Sequence, residues 1–151
     1  MDAALAREMR ERAGNACEYC RMPQAFYPTI PFPIDHIIAR QHGGPTIPEN
    51  LALSCLHDNT HKVPNIAGID PLTGRITRLF NPRRDKWTRH FRWEGPYLVG
   101  KTSVGRTTIV VLAMNHPDAV AVRQSLTEEG LFAQGVIGAH EVLGFGILRG
   151  T

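Results

Sequence analysis

The alternation of apolar and polar positions divides the chain into short elements separated by glycine and proline. Residues 2–12 are rich in helix formers, and Gly14 follows them, which predicts an N-terminal helix that ends there. The segment IDHII (Ile34–Ile38) predicts a short strand, and the Gly-Gly-Pro at 43–45 predicts a turn after it. Residues 51–62 then predict a short strand or loop followed by a short helix.

The second half of the chain has a different pattern. The segment IDPLTGRITRLF predicts a turn that leads into a strand. Residues 90–114 are rich in β-branched and aromatic side chains and are broken by glycines, which predicts two or three antiparallel strands. Pro117 is a favourable first helical residue, and Gly130 would end that helix. The glycine-rich and apolar residues 131–151 predict no particular element.

The order of these elements predicts an α+β fold. A strand–strand–helix unit should span about Phe32 to Lys62 and pack against the N-terminal helix. A small antiparallel sheet with one helix should be appended to it. Within a single domain of residues 1–151 we therefore expect a core at 10–62, a β-rich extension at 63–130 and a tail at 131–151.

Composition is consistent with a folded protein rather than a disordered or fibrous one. Of the 151 residues, 42% are hydrophobic, which suffices for a core. No run of eighteen apolar residues suggests a membrane span, and the charged N-terminus lacks the apolar region of a signal peptide. We therefore expect a cytoplasmic protein with no membrane partner.

Charge is distributed unevenly along the chain. The net charge is only +3 and the isoelectric point about 9.0. The segment from Leu72 to Arg92, however, contains seven basic residues and one acidic residue, Asp85. This excess suits a polyanion such as DNA, and it equally suits an ordinary solvated surface. The candidates for DNA binding are Arg83, Arg84, Lys86 and Arg89.

The cysteines indicate a metal site rather than disulfides. There are three, an odd number, and no export signal accompanies them. Cys17 and Cys20 form a Cys-x-x-Cys pair, and Cys55 lies downstream. Three buried free thiols are the alternative.

The segment between Ile34 and Lys62 contains the residue types needed to hydrolyse a phosphodiester. Such a reaction needs a base for water and a cation that neutralises the phosphate. Hard cations prefer carboxylate and amide oxygens. Asp35 and His36 follow each other on the predicted strand, Asn50 comes after the turn, and Asn59 is on the predicted helix.

This segment resembles the HNH endonucleases, whose pattern runs D-H-I, G-G, N-L and then a cysteine knuckle ending in N or H and a lysine. The resemblance extends over roughly Arg10 to Arg123. It implies a ββα-metal fold and a metal-dependent endonuclease that cuts DNA with Mg²⁺ or Mn²⁺. The implied residue roles are a metal ligand (Asp35), the general base (His36), a loop brace that orients this base (Asn50), and a second metal ligand (Asn59, with His61 as a rival). Since Asn59 and His61 are about 200° apart on a helix, they should not both face the metal, and we favour Asn59.

In the resembling family two cysteine knuckles bind a structural zinc. Here the second knuckle has Asp58 where the fourth cysteine would stand. Zinc accepts carboxylate ligands, so Cys17, Cys20, Cys55 and Asp58 form the expected Zn²⁺ site. His57 as the fourth ligand, and loss of the zinc, are the alternatives.

Two other functions compete with cleavage. The chain could be a zinc-stabilised nucleic-acid-binding module without catalysis, or an assembly protein that uses its C-terminal part as an interface. The Asp35, His36 and Asn59 set favours the endonuclease, because a pure binder needs no positioned base. One site of this kind cuts one strand, so a double-strand break would need a homodimer or two successive cuts.

Overall fold

A computed structural model describes residues 1–132 of the chain, so most of the tail expected at 131–151 lies outside the described residues. The N-terminal helix α1 spans Ala3–Arg12. It begins where the Asp2 carboxylate accepts a hydrogen bond of 2.8 Å from the Leu5 N–H, which satisfies a backbone donor of the first turn. It ends just before Gly14, whose φ of +64° suits glycine. The predicted N-terminal helix is confirmed.

A strand–strand–helix unit follows, as predicted. Strands β1 (Ile34–His36) and β2 (Leu51–Leu53) pair antiparallel, with Asp35 opposite Ala52. Helix α2 spans Leu56–Lys62 and follows β2 after two residues. All three residues of β2 are buried, because α1 packs on one side of this unit.

The rest of the described chain consists of short hairpins and helices. Their bounds are β3 (Ala67–Ile69), β4 (Ile76–Arg78), α3 (Trp87–His90), β5 (Phe91–Glu94), β6 (Tyr97–Gly100), α4 (Ser103–Val111) and α5 (Pro117–Glu128). Strand β3 pairs with β4, and β5 with β6, in two separate antiparallel hairpins. Helix α5 begins at Pro117 and is followed by Gly130 with φ of +74°, so its predicted ends are confirmed.

Of the two or three strands predicted within residues 90–114, two are confirmed as β5 and β6, and a third is wrong because Ser103–Val111 form helix α4. The Thr102 hydroxyl accepts a hydrogen bond of 3.0 Å from the Gly105 N–H and starts the helix. A Cβ added at Gly105 would lie 2.1 Å from the His90 carbonyl oxygen, so this glycine lets α4 pack tightly. Packing against both hairpins overrides the β propensity of the Thr, Ile and Val residues. The extension therefore contains more helix than strand.

One hydrophobic core runs through the strand–strand–helix unit and the extension. It contains the buried knuckle residues together with buried residues from the extension, among them Phe80, Phe91, Leu98 and Leu112. Phe80 lies between the two parts, with Tyr19 at 6.4 Å and Phe91 at 5.2 Å between ring centroids. The fold is thus α+β, and none of the described helices is long and apolar enough to cross a membrane.

Candidate active site and metal centre

Four side chains converge between the tight turn at 17–20 and the start of α2. Cys17, Cys20, Cys55 and Asp58 are all buried, and their ligand atoms lie within 4.8 Å of one another. The Cys17 Sγ lies 3.2 Å from the Asp58 Oδ2, and the Cys20 Sγ lies 3.7 Å from the Cys55 Sγ. The structure therefore brings together the four residues that the sequence predicted.

The local backbone explains this convergence. The Cys20 N–H points at the Cys17 sulfur and the Asp58 N–H points at the Cys55 sulfur, each at 3.4 Å. Both turns thus direct their first sulfur inward and donate a backbone hydrogen bond to it. His57, the alternative ligand, instead directs its Nε2 at the Ala113 carbonyl oxygen, at 2.8 Å.

The charge in this cluster fits a cation. Burial opposes ionisation of Cys17, yet hydrogen bonds from Cys20 and Cys55 hold the pKa of its thiol well below the ordinary value. Burial, reinforced by the Cys17 sulfur, raises the pKa of the Asp58 carboxyl well above its ordinary value. The Asp58 Oδ1 is buried and has no hydrogen-bond partner among the described residues. Three sulfurs and one such oxygen are a donor set that suits tetrahedral zinc.

Asp35 lies on the buried side of β1. Its side chain is held by the Tyr19 hydroxyl, which donates to Oδ2 at 2.8 Å, and by the Lys62 Nζ, which is 3.1 Å from the same oxygen. Lys62 also donates to the carbonyl oxygens of His36 and Ile37, at 3.2 and 3.1 Å. Burial raises the pKa of the Asp35 carboxyl, and Lys62 and Tyr19 oppose this effect.

His36 is half-buried, whereas the neighbouring Asp35 is fully buried, as expected for successive residues that face opposite sides of a strand. Its Nε2 lies 2.8 Å from the Thr46 hydroxyl, and its Nδ1 has no partner among the described residues. Partial burial lowers the pKa of the His36 imidazole, so the ring is neutral near pH 7. A neutral ring with one held and one open nitrogen can accept a proton.

Asn50 braces the loop between the two strands. Its Oδ1 accepts from the Ile38 N–H at 2.9 Å, and its Nδ2 donates to the carbonyl oxygens of Ile38 and Pro45 at 3.0 and 2.9 Å. Gly44 lies so close to this network that a Cβ would be 1.7 Å from the Ile38 carbonyl oxygen. Asn50 forms no hydrogen bond with the His36 ring, and it supports the ring through the loop that carries Thr46.

The two rival ligands on α2 lie in different surroundings. Asn59 is half-buried, three residues before Lys62 and therefore on the same face of α2 that meets Asp35. Its side-chain amide has no hydrogen-bond partner in the described part of the chain. His61 instead directs Nδ1 at the His57 carbonyl oxygen, at 2.8 Å, and its ring lies 4.2 Å from the His57 ring.

This arrangement coincides with a match to a known family. Residues 17–64 match the family model described as HNH endonuclease. These residues form an HNH domain. The matched segment begins at the first cysteine of the metal cluster and ends just after α2. No curated protein and no solved structure gave a significant match to the chain. An HNH domain indicates a function of the nuclease type.

The basic residues beside the HNH domain are not equivalent. Arg83 departs from the expectation of a DNA-binding surface, because its guanidinium forms an ion pair with Glu18. The two side chains are only 16% and 12% exposed, and burial lowers the pKa of Arg83 to about 10. By contrast, Arg84, Lys86 and Arg89 are exposed and form no ion pair with a described residue.

Three residues that contact the proposed catalytic side chains were missed from the sequence: Tyr19, Thr46 and Lys62. Lys62 is the last residue of the family pattern, which marked its position as important. The pattern did not indicate that Lys62 contacts Asp35. Tyr19 could have been noticed as the aromatic residue inside a metal knuckle. Thr46 carried no signal, because a loop threonine is common and its contact with His36 depends on how the loop folds.

Proposed function

We propose that the HNH domain is a metal-dependent endonuclease that hydrolyses phosphodiester bonds in DNA. The observation that carries the proposal is His36, which follows Asp35 directly on β1 and has one ring nitrogen held by Thr46 and the other open. A neutral ring with one open nitrogen can accept a proton from water.

The oxygen donors fit a hard cation. Asp35 offers a carboxylate, and Asn59 offers an amide oxygen from the face of α2 that meets it. Such donors suit Mg²⁺ or Mn²⁺. The bound cation would supply charge neutralisation of the scissile phosphate and of the leaving oxygen. His61, which contacts His57, is the less suitable second ligand.

The chain's own residues would divide the remaining work. Nδ1 of His36 accepts the proton of the attacking water, while Thr46 holds the ring through Nε2. Asn50 keeps the loop that carries Thr46 in place. Lys62 balances the negative charge of Asp35 within the fold. The three cysteines and Asp58 would hold a structural zinc that fixes the start of α2, and hence Asn59.

A path for DNA follows from the position of Arg84. This residue lines a cleft of about 310 Å³ together with Ile37 and Ile38, which follow β1, and Lys62, which ends α2. Its exposed guanidinium is therefore well placed to contact a phosphate near the bond that is cut. The exposed Lys86 and Arg89 would add sequence-independent affinity.

A plasmid-nicking assay with Mg²⁺, Mn²⁺ or excess EDTA tests the proposal. His36→Ala should lower the nicking rate by about 10²–10⁴-fold while metal binding persists. Asp35→Ala and Asn59→Ala should weaken metal binding, with partial rescue by excess metal. His42→Ala is the matched control, because His42 is an exposed histidine in the segment that follows β1. Wild-type rates for His36→Ala would disprove the assignment of the base.

One observation favours a second candidate, a zinc-stabilised nucleic-acid-binding module without catalysis. Asp35 is already paired with Lys62 and Tyr19, as a purely structural carboxylate would be. Such a module would shift DNA in a gel without nicking it under any metal. Sedimentation of the DNA-bound protein would separately show whether a homodimer forms, as paired cuts in both strands would require.

A further inference from the structure

Tyr19 connects the two proposed metal sites. It lies inside the knuckle, immediately before the ligand Cys20, and its side chain has no exposed surface. Its hydroxyl donates to the Asp35 Oδ2 at 2.8 Å. A single side chain thus extends from the cluster of sulfurs to the carboxylate of the proposed catalytic site.

The knuckle that carries Tyr19 is firmly placed. The Trp87 Nε1 donates to the Tyr19 carbonyl oxygen at 2.7 Å, and Phe80 packs edge-on against the Tyr19 ring. Glu18 exchanges hydrogen bonds with Leu53 of β2, since its N–H donates to the Leu53 carbonyl at 2.8 Å and its carboxylate accepts from the Leu53 N–H at 2.9 Å. The Tyr19 backbone is therefore anchored, and its ring is packed on one side by Phe80.

We propose that Tyr19 is a positioning residue, through which the zinc knuckle fixes the Asp35 carboxylate and raises the affinity of the catalytic cation. The inference rests on the proposed nuclease function. A phenylalanine would fill the same space in the core, so the hydroxyl contributes chiefly through its hydrogen bond to Asp35. A tyrosine hydroxyl carries its proton near pH 7, so it can donate to the Asp35 carboxylate, as the 2.8 Å distance shows.

Tyr19→Phe tests this role, with Mn²⁺ binding to zinc-loaded protein measured by calorimetry and nicking measured alongside. Residues that orient a metal ligand typically contribute about 10–100-fold in metal affinity. We expect the Mn²⁺ dissociation constant and the Mn²⁺ concentration for half-maximal nicking to rise by that factor. The nicking rate at saturating Mn²⁺ should change little, and zinc content should stay at one per chain. Tyr97→Phe, which alters an exposed tyrosine on β6, should match the wild-type protein.

A measurement on the wild-type protein covers the case in which Tyr19→Phe fails to fold. A cation that binds the Asp35 carboxylate weakens the hydrogen bond from Tyr19. Titration with Mg²⁺ should therefore shift the ultraviolet absorbance of tyrosine, and the midpoint of that shift should equal the midpoint of metal binding. Asp35→Asn should abolish that shift. Metal binding without a shift, or a Tyr19→Phe protein with wild-type Mn²⁺ affinity, overturns the role of Tyr19 alone. Wild-type protein that neither binds Mn²⁺ nor nicks DNA overturns the proposed function and this inference with it.

Discussion

Asp58 offers a decisive test of the zinc centre, because its replacement should have opposite effects with and without the metal. Its side chain is 1% exposed, and one of its carboxylate oxygens has no hydrogen-bond partner among the described residues. Asparagine has nearly the same shape and no charge. Asp58→Asn therefore removes a buried charge and a zinc ligand while leaving the packing almost unchanged.

The size of the effect follows from the burial of this carboxyl group. Because burial raises its pKa, the Asp58 carboxyl takes up a proton when zinc is removed, and protonating an aspartate at pH 7 costs about 3–5 kcal/mol. For a chain of this size each kcal/mol corresponds to about 2–4 °C, so the Tm should fall by on the order of 6–20 °C. The neutral amide of the Asp58→Asn protein needs no such protonation. It should melt above the wild-type protein in chelator and below it with zinc.

Scanning calorimetry of both proteins at pH 7, with one equivalent of Zn²⁺ and with excess chelator, measures this reversal. Metal content should be determined on the same samples. Asp58→Cys completes a set of four cysteines and should retain zinc, whereas Asp118→Asn alters an exposed carboxylate and should change neither Tm. If the two melting temperatures keep the same order in both conditions, Asp58 is not a zinc ligand.

Three further predictions concern the loop, the basic residues and acid stability. Thr46→Val should slow nicking by about 10-fold because the imidazole of the proposed base loses its hydrogen bond, and Thr46→Ser should restore the rate. Arg84→Ala should weaken DNA binding and reduce the slope of log K against log salt concentration by about 0.9. Arg83→Ala should instead lower the Tm and leave that slope unchanged. The hydrogen bonds from Arg106 hold the pKa of Asp70 well below its ordinary value. Their contribution to the stability of the fold is therefore complete above the unfolded-state pKa of about 3.9, and it declines as the pH falls through the lower folded-state pKa. Thermal melts between pH 7 and pH 2 should therefore show a shallower loss of stability below about pH 4 for Asp70→Asn than for the wild-type protein.

Local pattern sufficed for much of the HNH domain. The helix at the N-terminus and the β1–β2–α2 order follow from neighbours a few residues apart, whereas the pairing of Cys17 and Cys20 with Cys55 and Asp58, 35 to 41 residues away, was implied by the resemblance to the HNH endonucleases. A Cys-x-x-Cys spacing directs both sulfurs to one point in a tight turn, and Cys55 with Asp58 repeats that spacing at the start of α2. Such features depend on backbone geometry within single turns, so they can be predicted before the chain is folded.

Contacts between distant parts of the chain decided the rest. Helix α4 replaced a predicted strand because two hairpins pack against it, and β propensity is weaker than such packing. Arg83 became part of an ion pair because folding brings Glu18 to it across 65 residues of sequence. The Tyr19 hydroxyl reaches Asp35 for the same reason. The sequence by itself determined which side chains could do chemistry. Only the tertiary structure decided which of them are hydrogen-bonded, ion-paired or free to react, because those states depend on partners distant in the sequence that no local pattern encodes.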